Sequence, residues 1–255
     1  MTYCLAISVQ DGIVFAADTR THAGVDYVTA YSKLHVFRPA EDRLFVILSA
    51  GNLATTQDVL NRLERDLDAD DGRESLRSVP YPFEAADYLG RVSILAQAQH
   101  AEALQRTGIS GETTLILGGQ IRGEDPGIFL VYPQGNHINA SPETPYLQIG
   151  ESKYGKPMLD RIVSPELSLN DAARLALVSL EATVRSNITV GPPFQLAIYP
   201  RDTFALSHKL VITAGSDFYQ RFKTAWQEGL KNAFQTLPPF DWELEAGGVQ
   251  RIGEK

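Results

Sequence analysis

Apolar residues alternate or cluster over residues 3–9 and 13–17 around the polar Gln10-Asp11-Gly12, a pattern that predicts two short strands joined as a hairpin. Residues 31–37 and 43–49 repeat it around Pro39, so four strands are expected ahead of the first helix. The period then changes over residues 55–67, where Val59, Leu60, Leu63 and Leu67 recur at helical spacing with charges between them. A longer helix is predicted over 83–106, after Pro80 and Pro82, because the stretch is rich in Ala and Leu and stops at Gly108 and Gly111. Strands return at 113–118, 127–132 and 137–140, the last two joined by a turn at Pro133-Gln134-Gly135-Asn136. Helices are expected at 154–163 and 170–186, the second with capping groups from Ser168 to Asp171, and two further strands near 194–199 and 208–213. Phe218, Phe222, Trp226, Leu230 and Phe234 fall at steps of four, the stripe of a helix that faces a core or another subunit.

This order of strands and helix pairs predicts an α+β fold in which mainly antiparallel sheets pack on each other with helices outside. No linker divides the chain, so one domain is expected over 1–236, followed by an arm or tail at 237–255. The 255 residues are 44% hydrophobic and 21% charged, enough to bury a sizeable core. A net charge of −8 disfavours both nucleic acid and anionic membranes as partners. Apolar runs such as Leu44 to Leu48 are far shorter than the roughly 20 residues of a membrane span. The start has no basic segment of a signal peptide, so a cytoplasmic location is expected.

Among common catalytic signatures, G-x-S-x-G, the P-loop, G-x-G-x-x-G and H-E-x-x-H are all missing. His22, His35, His100, His137 and His208 lack metal-ligand spacing, so no metal or cofactor is implied. The single Cys4, amid apolar strand neighbours, reads as a buried structural thiol. What remains is Met1-Thr2. Removal of Met1 would leave Thr2 with a hydroxyl and a free α-amine on adjacent carbons, and an amine with a pKa of about 7.7 to 8.0 is a suitable base for that hydroxyl near neutral pH.

Three further segments lie where a site on Thr2 would need them: Phe15-Ala16-Ala17-Asp18-Thr19-Arg20-Thr21, Tyr31-Ser32-Lys33-Leu34-His35-Val36, and Ser49-Ala50-Gly51-Asn52-Leu53-Ala54-Thr55-Thr56. Together they resemble the catalytic β-subunits of the proteasome and HslV among the N-terminal nucleophile hydrolases, and the last is particularly similar to the bacterial Anbu branch. The likeness is strongest over 2–67. It implies a four-layer αββα sandwich, a threonine-type peptidase or amidohydrolase working through an acyl-enzyme, and self-association into a ring or open helix. A small-amide or isopeptide hydrolase, and a non-catalytic assembly subunit, are the alternatives.

By the same resemblance Lys33 would hold positive charge beside the Thr2 hydroxyl and Asp18 would pair with Lys33. Read alone, Asp18 could instead pair with Arg20, and Lys33 could be a surface lysine. Gly51 resembles the glycine whose N–H stabilises the tetrahedral oxyanion, or is a plain strand-to-helix turn. Ser152 is similar to the serine beside the threonine amine, or caps a helix. The chain departs from the proteasome pattern at Arg185-Ser186-Asn187-Ile188-Thr189-Val190-Gly191, where Asn187 stands for an Asp and Thr189 would supply the hydroxyl of a missing Ser. Thr21, Tyr31, His35, Ser49 and Leu53 would line the pocket for the residue preceding the cleaved bond.

Overall fold

The computed structural model describes residues 2–22, 28–69 and 71–244. The opening hairpin is β1 (Tyr3–Val9) and β2 (Gly12–Asp18), almost wholly buried because both strands are central and covered on two faces. A short ribbon not anticipated from the pattern follows, β3 (Arg20–His22) with β4 (Val28–Ala30), so six strands rather than four precede the first helix. Three-residue strands carry too few positions for alternation to register. Then come β5 (Leu34–Ala40) and β6 (Arg43–Gly51), α1 (Leu53–Asp68), α2 (Pro82–Arg106), β7 (Thr113–Ile121), β8 (Gly127–Val131) and β9 (His137–Asn139).

A second unpredicted strand, β10 (Tyr146–Gly150), runs antiparallel to β1. After it lie α3 (Lys156–Ile162), α4 (Leu169–Ser186), β11 (Phe194–Pro200) and β12 (His208–Ile212). One sheet has the order β10-β1-β2-β11-β12 and the other β5-β6-β7-β8-β9, both antiparallel throughout. Cys4, Ala6, Phe15 and Ala17 of the first sheet meet Leu44, Val46, Leu48 and Ile116 of the second between them. Gly118 lets the sheets close on each other, since a Cβ there would stand 2.5 Å from Phe15 Cε1. On the outer face of the second sheet, Phe45, Ile47, Leu115 and Leu117 pack with Val59 and Leu63 of α1 and with Ala85, Leu89 and Val92 of α2. Helix α4, its N-cap Ser168 accepting the Asp171 N–H, buries Ala172, Leu175, Ala176 and Leu180 on the face of the first sheet. The result is the expected four-layer αββα sandwich.

The described residues form two compact units, which divide between Ala214 and Gly215. The expected helix stripe is α5 (Asp217–Gln235) and belongs to the second unit, followed by the single turn α6 (Asp241–Leu244). The expected tail beyond residue 244 lies outside the described residues. No helix among the described residues is long and apolar enough to cross a membrane.

Candidate active site

Thr2 is the partly buried residue just ahead of β1, and β10 holds it: the Thr2 carbonyl accepts the Glu151 N–H at 2.7 Å, and Tyr3 pairs with Gly150. Gly150 permits this approach, with φ +82° and a hypothetical Cβ only 1.9 Å from the Thr2 carbonyl oxygen. Glu151 is thereby set beside Thr2.

Asp18 ends β2 with no exposed surface. Its Oδ1 accepts the Tyr3 N–H at 3.0 Å and the Lys33 ammonium at 2.7 Å, and its Oδ2 accepts the Gly191 N–H at 3.4 Å. Burial pushes the Asp18 carboxyl up from its ordinary value, while Lys33 and the two N–H groups pull it back. Lys33, just before β5 and also buried, gives a second hydrogen bond to the Arg20 carbonyl at 2.7 Å, so two of the three ammonium donors are spent. The Arg20 guanidinium instead donates to the Ile188 carbonyl at 2.7 Å, and the partner of Asp18 is Lys33.

A residue missed in the sequence fixes the Lys33 segment. Gln195 of β11 accepts the N–H groups of Lys33 at 3.1 Å and Leu34 at 3.3 Å through Oε1, and donates Nε2 to Ser32 Oγ at 3.0 Å. Its one sequence signal is a long amide in an otherwise apolar strand.

Gly51 ends β6 with φ +118°, and a Cβ there would meet the Glu112 carbonyl oxygen at 2.4 Å, so close backbone packing is enough to require glycine. The strand reaches the cluster through Ser49, whose N–H donates to the Lys33 carbonyl at 3.1 Å and whose carbonyl accepts the Cys4 thiol at 3.6 Å. Burial pushes that thiol up, away from nucleophilic use. Ser152 is not the cap of α3, which is Gly155; its N–H bonds the Gly150 carbonyl at 3.0 Å.

Asn187 caps the C-terminus of α4 and donates Nδ2 to Glu151 Oε2 at 2.9 Å. Its Oδ1 accepts both the N–H of Thr189 at 3.0 Å and the Thr189 hydroxyl at 2.6 Å. Glu151, nearly buried, is the second residue that sequence reading missed.

Of the expected pocket residues, buried Ser49 and half-buried His35 lie on the paired strands β6 and β5, and Leu53 opens α1 directly after β6. Burial pushes the His35 imidazole down, helped by the Lys209 charge and opposed by a bond to Ser32 backbone. Thr21 lies on the β3–β4 ribbon and gives its hydroxyl to the Thr19 carbonyl at 3.4 Å, which also accepts the Tyr31 N–H at 3.0 Å. Tyr31 is largely exposed. Among the described residues no group of three or more His, Cys, Asp and Glu could hold a metal ion.

The profile of the proteasome subunit family matches residues 2–199, which hold this cluster and the strands of the sandwich apart from the edge strand β12, and the chain belongs to that family. No curated protein matches it. Within the family its likeness is to Anbu. A Gly-1 mutant of Anbu from Hyphomicrobium sp. strain MC1 is 42% identical, with a TM-score of 0.87 over 94% of this chain and 100% of that one. Anbu from Yersinia bercovieri is 41% identical, with a TM-score of 0.86 over the same shares. The Anbu complex of Pseudomonas aeruginosa, solved as a helical assembly, is 39% identical, with a TM-score of 0.88 over 93% of this chain and 98% of that one.

Proposed function

We propose that the chain is a threonine-type amidohydrolase of peptides, with Thr2 as nucleophile once Met1 is removed. The observation that carries this reading is the buried Lys33–Asp18 pair, closed at 2.7 Å, in which Asp18 also holds the N–H of the residue after Thr2. A buried ammonium with one donor to spare lowers the cost of an alkoxide at Thr2 and disfavours a proton on its amine. The Thr2 Oγ adds to the substrate carbonyl as its proton passes to the α-amine. The carbonyl electrons move onto oxygen, where the Gly51 N–H would stabilise them. Collapse breaks the C–N bond, and the leaving amine takes the proton from the α-amine. Water, deprotonated by the same amine, then hydrolyses the ester and frees the acid and Thr2. Ser152 and Thr189 would relay protons at the amine, and Thr21, Tyr31, His35, Ser49 and Leu53 would contact the side chain preceding the cleaved bond.

The chain is further proposed to self-associate, as the Pseudomonas aeruginosa Anbu complex does in its helical form. Phe218, Leu230 and Phe234 of α5 are exposed, as a subunit-facing stripe would be in a single chain.

Intact mass of the purified protein, followed by peptide mapping after β-lactone treatment, tests the chemistry. Loss of Met1, a single adduct on Thr2, and loss of adduct and hydrolysis in Thr2→Ala are expected. Hydrolysis that survives Thr2→Ala unchanged, with no adduct on a free Thr2, would sink the reading.

A further inference from the structure

Where the proteasome pattern has a carboxylate, this chain has Asn187, whose amide presents either an oxygen or an N–H pair according to how it is turned. Here it is turned by its neighbour. Glu151 is nine-tenths buried, and an ionised carboxylate can only accept, so the Asn187 Nδ2 that meets its Oε2 at 2.9 Å must donate. That orientation leaves Asn187 Oδ1 facing Thr189, where it takes both the backbone N–H and the hydroxyl. With its own proton committed, Thr189 Oγ1 has only acceptor lone pairs to offer. The same Glu151 gives its N–H to the Thr2 carbonyl at 2.7 Å, and the far end of this loop, Gly191, bonds Asp18.

We propose that Glu151 is a positioning residue for Thr2: its carboxylate restores, through Asn187, the acceptor polarity and the negative charge that an Asp at 187 would otherwise supply. This rests on the reading of Thr2 as nucleophile. Thr189 then accepts a hydrogen bond from the Thr2 amine instead of competing to donate to it, and the charge favours the protonated amine that follows attack. The charged groups around Glu151 and this loop are Lys153, whose ammonium lies 3.6 Å from Oε1 and is largely exposed, Arg20, whose guanidinium donates to the Ile188 carbonyl at 2.7 Å, and the Lys33–Asp18 pair at the other end of the loop. The exposed Lys153 offsets the Glu151 charge only in part, because solvent screens it.

The test is a charge swap. Glu151→Gln removes the charge and lets either end of the amide face Asn187, so kcat/KM should fall roughly tenfold or more. Its acid limb should also move to lower pH, as the Thr2 amine loses a stabilising anion. Glu151→Gln combined with Asn187→Asp moves the carboxylate across the hydrogen bond while keeping Thr189 a donor to residue 187, and should recover most of the loss. Asn187→Asp alone sets two carboxylates in contact and should be worse than the double variant. Thermal melts identify any variant that has lost its fold, and recovery in the double variant is not expected of a merely structural contact. Competitive acetylation of the Thr2 amine across pH, read by mass spectrometry, gives its titration without catalysis.

An unchanged acid limb and amine titration in Glu151→Gln overturns the proposal, as does a folded double variant no better than the single one. Should the amine titration shift with Glu151 while no lactone adduct forms on Thr2, the nucleophile reading fails, and what stands is the influence of Glu151 on the Thr2 amine. Retention of Met1 removes both.

Discussion

At the scale of single residues the site depends on charge taken out of water. Lys33 and Asp18 are each costly to bury, and their mutual attraction with the surrounding N–H and carbonyl groups offsets that cost. Lys33→Met should therefore reduce stability by about 3–5 kcal/mol, because it strands the Asp18 carboxylate. Adding Asp18→Asn should restore most of the stability without restoring hydrolysis, which should remain lower by roughly a hundredfold or more. Urea titrations and kcat/KM on the same samples separate the two effects. His35 gives a pH dependence of its own. Its Nε2 is buried without a hydrogen-bond partner among the described residues, and burial holds the imidazole below its ordinary value. The unfolded chain thus binds a proton that the folded chain resists. The contribution of neutral His35 is complete above about pH 6.5 and is lost as the pH falls through the lower folded value. His35→Gln should show a smaller drop in Tm than the parent between about pH 7.5 and about pH 5.5.

At the scale of elements the site is a meeting of strand ends, and their positions depend on caps and close approaches. Asn52 is the joint between β6 and α1: its Oδ1 accepts the Thr55 N–H at 3.1 Å, and its Nδ2 donates to the Ser110 carbonyl at 3.0 Å. It therefore caps α1 and ties that helix start to the loop after α2. Asn52→Ala should cost about 1–2 kcal/mol by chemical denaturation. Hydrolysis should fall by more than that loss explains if the end of β6 carries the oxyanion donor. The strand β10 has a similar duty on the other side of Thr2. Its last residue is a glycine in the left-handed region because the Thr2 carbonyl occupies the space a Cβ would need.

At the scale of the whole molecule the sandwich is self-sufficient, with one core between the sheets and another under α1 and α2. The second compact unit is different in character, since α5 buries only Tyr219 and leaves Phe218, Leu230 and Phe234 exposed. A face of that kind is stabilised when another surface covers it. Leu230→Glu with Phe234→Glu should shift the sedimentation profile toward single chains at equal concentration, while the far-ultraviolet circular dichroism stays that of the parent. An unchanged sedimentation profile would remove α5 from the assembly contacts.

Local pattern alone determined most of the elements and the class of the fold. The apolar pattern of 3–9, the helical spacing of Val59 and Leu63, and the capping Ser168 are each read within a turn or a strand; the buried face of α1 then follows from amphipathicity, whereas β1 is buried on both faces because the sandwich covers it. The pairing of Lys33 with Asp18 was anticipated because a known family supplied the grouping of Thr2, Asp18, Lys33 and Gly51; no spacing along the chain does so. Gln195 and Glu151 were not legible. Their contacts join segments 162 and 36 residues apart, Gln195 with Lys33 and Glu151 with Asn187. Only the stacking of two sheets, and the pairing of β10 with β1, decides that such residues meet. A side-chain hydrogen bond across that distance leaves no period in the sequence, because its partner is chosen by tertiary packing and not by the neighbouring residues.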